Sequence, residues 1–139
     1  MPAFVIDASV AIAGLAPDEN HAGAINLVDR AIAEGAIAPM LFAYEIANIL
    51  ATKQRRGTLS QELRDEIARA VGDMAVELEH ATLATILDSV ALLAMRNRLT
   101  IYDAAYLELA KRKNLPLATL DKDLANSGRR EGVVVLGLD

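Results

Sequence analysis

Phe4-Val5-Ile6-Asp7-Ala8-Ser9 is the stretch whose reading decides the fold. Three consecutive apolar residues, ending in the β-branched pair Val5-Ile6, run into a carboxylate and then into small residues. A continuous apolar run suits a strand covered on both faces, as in the middle of a parallel sheet. Asp7 then stands at the strand's carboxyl end, the edge at which open α/β sheets bind ligands. An acidic residue placed there is a candidate for chemistry, and the remaining question is which other residues converge on it.

Working outward, Ala8 or Ser9 starts a short helix through Leu15, closed by Pro17 and the polar Asp18-Glu19-Asn20 turn. A second helix is expected from His21 to Glu34, stopping at Gly35, with Asn26, Asp29 and Arg30 on its solvated face. Ala36-Ile37-Ala38 reads as a strand ended by Pro39. The helix after it, about Met40 to Arg56, has an apolar face containing Phe42, Ile46, Ile49 and Leu50, and Gly57 ends it. Ser60 starts a mainly solvated helix with Ile67, Ala68 and Val71 inward, and Val76-Glu77-Leu78-Glu79 alternates like a half-exposed edge strand.

Thr82 to Arg98 reads as a helix with Leu83, Ile86, Leu87, Val90, Leu93 and Ala94 at helical spacing. Thr100 and Asp103 have capping-box spacing at the head of a helix that runs to about Lys113. Leu115 to Leu120 supplies a strand that, like the first, ends in a carboxylate, Asp121, and Val133 to Leu136 is the last strand. Alternating strands and helices predict an α/β fold with a largely parallel central sheet flanked by helices, in a single domain over residues 1–139.

With 139 residues, 53% of them hydrophobic, there is ample material for one core. The chain has no cysteine, which excludes disulfides and thiolate metal sites and suits a reducing, cytoplasmic compartment. No apolar run reaches the ~18 residues a membrane span needs, so no membrane association is expected. Fourteen basic against nineteen acidic residues give a net charge of −5. That balance disfavours direct phosphate binding. It is a weak objection, because carboxylates gathered around a cation are neutralised by it, and Lys53-Gln54-Arg55-Arg56, Arg96-Asn97-Arg98, Lys111-Arg112-Lys113 and Arg129-Arg130 offer a basic rim. Solvated helix ends are the alternative reading of each cluster.

Four carboxylates can share a site. Asp7 and Asp121 both follow apolar strands and lie on one sheet edge if those strands are parallel. Glu45 interrupts a mainly apolar helix face, between Leu41, Phe42, Asn48 and Ile49, and Asp103 shares a face with Tyr106, Leu107 and Ala110. Each has a structural alternative: Asp7, Asp103 and Asp121 as helix caps, Glu45 as the partner of a basic side chain. One shared cause accounts for all four, namely oxygen ligands for a hard divalent cation.

The segments Phe4–Ser9, Tyr44-Glu45-Ile46-Ala47-Asn48, Leu99–Ala110 with its Tyr102-Asp103-Ala104-Ala105-Tyr106 core, and Ala118-Thr119-Leu120-Asp121-Lys122-Asp123-Leu124 resemble, in this order, the PIN-domain proteins, and specifically the VapC toxins of toxin-antitoxin pairs. The resemblance implies a PIN-like fold and a Mg2+- or Mn2+-dependent endoribonuclease, with Asp7, Glu45, Asp103 and Asp121 as the catalytic, metal-binding set. Family members differ in whether a residue at the place of Asp123 takes part. Ser9, Asn48, Thr100 and Thr119 are candidates to hydrogen-bond the ligands, while Tyr102 and Tyr106 read as packing residues. The resemblance also implies an RNA substrate, a cognate antitoxin protein and a homodimer.

The competing reading from another class is a metal-binding regulatory module without turnover, such as a phosphoacceptor domain. Receiver domains carry adjacent acidic residues after their first strand, and haloacid-dehalogenase-type phosphatases want a second Asp two residues on. In this chain Asp7 is followed by Ala8 and Ser9.

Overall fold

The computed structural model describes residues 1–138; Asp139, the last position of the expected domain, lies outside the described residues. Five strands form one parallel sheet: β1 (Phe4–Ile6), β2 (Ala36–Pro39), β3 (Glu77–Glu79), β4 (Leu117–Ala118) and β5 (Val135–Leu136), in the order β3-β2-β1-β4-β5. β1 is the centre. It pairs with β2 through Phe4–Ala36 and Val5–Ile37, and with β4 through Val5–Leu117 and Ile6–Ala118. Its three residues have no accessible surface, as the continuous apolar run requires.

Among the described residues eight α-helices connect the strands: α1 (Ala8–Leu15), α2 (Ala22–Glu34), α3 (Leu41–Arg55), α4 (Gln61–Asp73), α5 (Leu83–Thr85), α6 (Ala91–Asn97), α7 (Ile101–Lys113) and α8 (Lys122–Arg130), with a π-helical turn, Ile86–Val90, between α5 and α6. α1 packs on α2, α3 and α4, whereas α7 packs on α6, α8 and the central strands. The division follows the chain, which moves outward from β1 to β3 and then returns to the other side of β1. Gly14 lets α1 and α2 meet closely: a Cβ there would stand 2.8 Å from the Ala24 carbonyl oxygen.

The edge strand and the helix boundaries follow local chemistry. β3 is exposed but carries Glu77 and Glu79, charges that discourage pairing with another chain. His21, Ser60, Thr82 and Thr100 accept the backbone N–H three residues on, capping α2, α4, α5 and α7. Arg98 and Asn114 end α6 and α7 in the left-handed conformation.

Two expectations change. The helical face read over Leu83 to Ala94 is only half inward, because the π turn re-phases the helix. Val90, Leu93 and Ala94 are buried, while Leu83, Leu87, Leu92 and Met95 are exposed. Half of the basic residues in the basic clusters are also spent on ion pairs. Lys53 reaches Asp18 and Glu19, Arg96 and Lys111 bind Glu131, and Arg112 and Lys113 bind Glu79, with Arg112 also on Glu108. These five read as paired helix ends, and the Lys111–Lys113 cluster lies at the end of α7 away from Asp103.

Glu131 is the most heavily used of these carboxylates. It accepts from Arg96 at 2.9 and 2.7 Å, from Asn97 at 3.0 Å and from Lys111 at 2.7 Å, joining the end of α8 to α6 and α7. The Arg96 guanidinium, then Lys111 and Asn97, hold its carboxyl down to about 2. A depressed folded value contributes stability above the ordinary carboxylate range that is lost as pH falls toward 2. Replacing Glu131 by Gln is expected to cost about 1–2 kcal/mol at pH 7, a modest figure because solvent screens the two exposed cations. Chemical denaturation should show the difference shrinking below about pH 4.

Candidate metal centre

Because β1 pairs with β2 on one side and β4 on the other, the crevice beyond the carboxyl ends of β1 and β4 is the switch point of the sheet. Asp7 leaves β1 into this crevice and Asp121 follows β4 by three residues. Asp7 also continues the ladder, since its N–H donates to the Ala118 carbonyl at 3.1 Å. The expectation that the two carboxylates stand on one sheet edge is met by the parallel β1–β4 pair.

Asp7 is 6% exposed. Its Oδ1 accepts from the Ser9 hydroxyl at 2.5 Å and the Val10 N–H at 3.1 Å, and its Oδ2 accepts from the Thr119 hydroxyl at 2.5 Å. The hydroxyls are themselves held: Ser9 Oγ accepts from the Leu120 N–H at 3.2 Å, and Thr119 Oγ1 from the Asp121 N–H at 3.0 Å. Ser9 and Thr119 thus occupy the supporting positions expected for them. Gly137 closes this corner at φ +102°, where a Cβ would meet the Thr119 carbonyl oxygen at 2.8 Å.

Glu45, half-buried on α3, accepts from the Tyr106 hydroxyl at 2.5 Å. Asp103, in the first turn of α7, is half-buried, and its N–H donates to the Thr100 hydroxyl at 3.1 Å. Asp121 is exposed and caps α8, accepting from the Leu124 N–H at 2.9 Å. The capping alternatives are therefore true of Asp7 and Asp121, but each cap engages one oxygen and leaves further acceptor capacity. Asn48 and Asp123 are both exposed at the surface of their helices. Tyr102 is 65% exposed, contrary to its reading as a packing residue.

Electrostatics bring the acidic groups into one field. Burial pushes the Asp7 carboxyl up, Asp103 adding to it against the lowering by its hydrogen bonds. Burial likewise raises Glu45, with Asp103 and Asp7 contributing, and raises Asp103, with Asp121 and Asp123 contributing. Asp103 is the group common to all these interactions. Tyr106 is pushed well above the ordinary phenol range by burial and by Glu45, and so remains a donor.

No lysine or arginine among the described residues forms an ion pair with Asp7, Glu45, Asp103 or Asp121, although Glu79, Glu108 and Glu131 all have such partners. The repulsion is left uncompensated by the chain itself. An all-oxygen acidic set of this kind fits a hard divalent cation in donor chemistry. Among the described residues no group of three or more His, Asp or Glu side chains stands so as to hold a metal ion. The sequence missed the Tyr106 hydroxyl. Its available signal was a tyrosine, not a phenylalanine, on the inward face one turn after Asp103.

The fold is thus an α/β protein with a doubly wound parallel sheet, and acidic residues without a basic partner follow β1 and β4 at its switch point. Residues 4–129 match the family model described as the PIN domain, and the chain belongs to that family. It is 33% identical over 122 residues, 88% of this chain and 92% of the relative, to Ribonuclease VapC3 of Pyrobaculum aerophilum. Among solved structures it resembles PAE2754 from Pyrobaculum aerophilum, with a TM-score of 0.73 and 23% identity over 96% of this chain and 83% of that one. It also resembles FitAcB from Neisseria gonorrhoeae, with a TM-score of 0.67 and 17% identity over 96% of both chains. The family resemblance drawn from the sequence segments stands, as does the predicted fold.

The cluster has a stability consequence. A carboxyl whose folded value is raised opposes folding when ionised, so stability falls as pH rises through the interval between its unfolded and folded values. Asp103→Asn removes the charge that all the others face. With EDTA at pH 7 the variant is expected to melt above the wild type, and the gap should close toward pH 4. Differential scanning calorimetry across that range checks it; a variant that melts lower at pH 7 would contradict the electrostatic reading.

Proposed function

We propose that the chain is a Mg2+- or Mn2+-dependent endoribonuclease acting as the toxin of a toxin-antitoxin pair. The observation that carries this reading is the base-free set Asp7, Glu45, Asp103 and Asp121 at the switch point, in a chain that pairs Glu79, Glu108 and Glu131 with arginine or lysine. Membership of the PIN domain family and the similarity to a protein named a ribonuclease supply the reaction class.

The four carboxylates would hold the cation. An open arrangement suits Mg2+, which keeps several waters and binds through one or two carboxylates together with phosphate oxygens. When bound, such an ion activates water for in-line attack on a phosphodiester and stabilises the charge on the phosphoryl and leaving oxygens. The chain's part is placement. Ser9 and Thr119 fix the two oxygens of Asp7, and α7 carries Asp103 to the centre of the cluster. Neither histidine is required: His21 caps α2 through Nδ1, accepting from the Ala24 N–H at 3.0 Å, and His80 lies beyond β3.

A single-stranded or looped RNA would best admit its backbone to the crevice. The exposed Leu83, Leu87, Leu92 and Met95 on the α5–α6 side form an apolar surface that suits a homodimer contact, and an antitoxin would act by covering the crevice. The site would work in the cytoplasm; among the described residues no helix is long and apolar enough to cross a membrane.

Purified protein is expected to cleave cellular RNA with Mg2+ or Mn2+ and to stop in EDTA. Asp7→Asn and Asp103→Asn should each lower the rate at least ~100-fold while remaining folded. End-mapping of cleaved RNA after induction of wild type and Asp103→Asn tests enzyme class and substrate together, and cleavage retained by either variant would sink the assignment. Leu87→Glu should lower the solution mass from dimer to monomer. A wild-type monomer that binds no co-expressed neighbouring gene product would favour a PIN ribonuclease outside a toxin-antitoxin pair.

A further inference from the structure

Of the three tyrosines, Tyr44 and Tyr102 are 72% and 65% exposed, whereas Tyr106 is 1% exposed and is the largest fully buried side chain. A tyrosine buried this deeply in a core needs a partner for its hydroxyl, because an unpartnered one would be costly and a phenylalanine would fill the same space. The partner is Glu45 Oε1, 2.5 Å away and 61 residues earlier in the chain. Glu45 has no other side-chain partner among the hydrogen bonds and ion pairs of the described residues. The Asp7 carboxylate adds to the raising of the phenol, so the hydroxyl lies in the field of both carboxylates.

We propose that Tyr106 is a positioning residue for the metal centre: its hydroxyl fixes Oε1 of Glu45, orienting the carboxylate so that Oε2 is presented to the cation. The inference rests on the metal-dependent reading of the cluster. Its physical basis is the mobility of a glutamate, which has three side-chain torsions and, half-buried on α3, no cationic group to orient it. The tyrosine ring is locked by packing, so one hydrogen bond transfers the rigidity of the core to the carboxylate. Helical spacing adds a second effect. Asp103 and Tyr106 are three residues apart on α7, on one face, so the helix that presents Asp103 also sets Glu45. Tyr106 thereby fixes the relative placement of two carboxylates supplied by different helices.

The test is Mn2+ binding by isothermal titration calorimetry, with the Mg2+ concentration for half-maximal RNA cleavage measured beside it. Tyr106→Phe keeps the ring and removes only the hydroxyl; it is expected to weaken Mn2+ binding and raise the Mg2+ midpoint ~10- to 100-fold with its circular dichroism spectrum unchanged. In a Glu45→Gln background, adding Tyr106→Phe should cost almost nothing further, because the hydroxyl acts through that carboxylate. Wild-type binding retained in Tyr106→Phe, or a full additional loss in the double variant, overturns the positioning role while leaving the metal centre intact. A wild type that binds no Mn2+ overturns the metal reading itself. If Tyr106→Phe does not fold, Glu45→Asp leaves the core untouched, keeps the charge and withdraws the carboxylate from the hydroxyl. It should lose Mn2+ binding as Glu45→Gln does, and binding as tight as wild type overturns the proposal.

Discussion

A carboxylate buried at the end of the central strand, with no cation from the chain to neutralise it, is the constraint on which the rest of the structure depends. Asp7 sits in a 6%-exposed position where burial raises its carboxyl, and two hydroxyls and one amide converge on it and offset part of that cost. Those donors come from two places, Ser9 and Val10 from α1 and Thr119 from the loop after β4. Val10 belongs to α1, so the charge also starts that helix. Ser9 is tethered to the Leu120 amide and Thr119 to the Asp121 amide, so the same charge couples β1 to the loop after β4. The sheet edge is therefore organised by hydrogen bonding to an anion, and that leaves the surrounding acidic groups electrostatically unanswered.

The contrast with the remaining glutamates is informative because one sequence supplies both solutions. Glu131 and Glu79 sit among guanidinium and ammonium groups, and their carboxyls are held below the ordinary range. Asp7, Glu45 and Asp103 are pushed the other way. Lys53, Arg96, Lys111, Arg112 and Lys113 pair with other carboxylates instead. Arg112 engages Glu108 and Glu79 together and ties α7 to the edge strand. The segregation thus stabilises the helix that carries Asp103 while leaving Asp103 itself without a counter-charge. Uncompensated like charges of this kind oppose folding, and on the proposed reading an external cation would relieve them.

The sequence was legible where the governing interactions are local or periodic. The apolar run Phe4–Ile6 announced a fully buried strand, Gly35 and Ser60 marked helix ends, and the alternation in Val76–Glu79 marked the edge strand, because each depends on neighbouring residues. The placement of Asp7 and Asp121 on one edge needed only the inference that their strands run parallel. What escaped depends on long-range packing. The π turn at Ile86–Val90 shifts the phase of an otherwise regular pattern, and no spacing argument locates such a turn in advance. The ion pairs that consume the basic clusters join residues up to 35 positions apart, and the Tyr106–Glu45 bond joins residues 61 apart. Asn48 lies on the same helix as Glu45, less than one turn further on, yet is exposed because its side of α3 turns away from the core.

A chain with a net charge of −5 acting on RNA would be paradoxical if affinity had to come from lysine and arginine, because phosphate binding ordinarily tracks positive charge. On the proposed reading the sign of the crevice is conditional. Without a cation, Asp103 and its neighbours repel phosphate and one another. A divalent ion cancels two of those charges at once and leaves vacant positions that oxygen atoms of a phosphodiester can fill. Recognition of the backbone and assembly of the reactive centre then become a single event, since the same ion is needed for both. This makes the geometry of the carboxylates more important than their number: a cluster that is too loose would attract the ion without directing it. The hydroxyl supports on Asp7 and Glu45 supply that direction from groups that carry no charge of their own, so they order the ligands without competing with the cation for them.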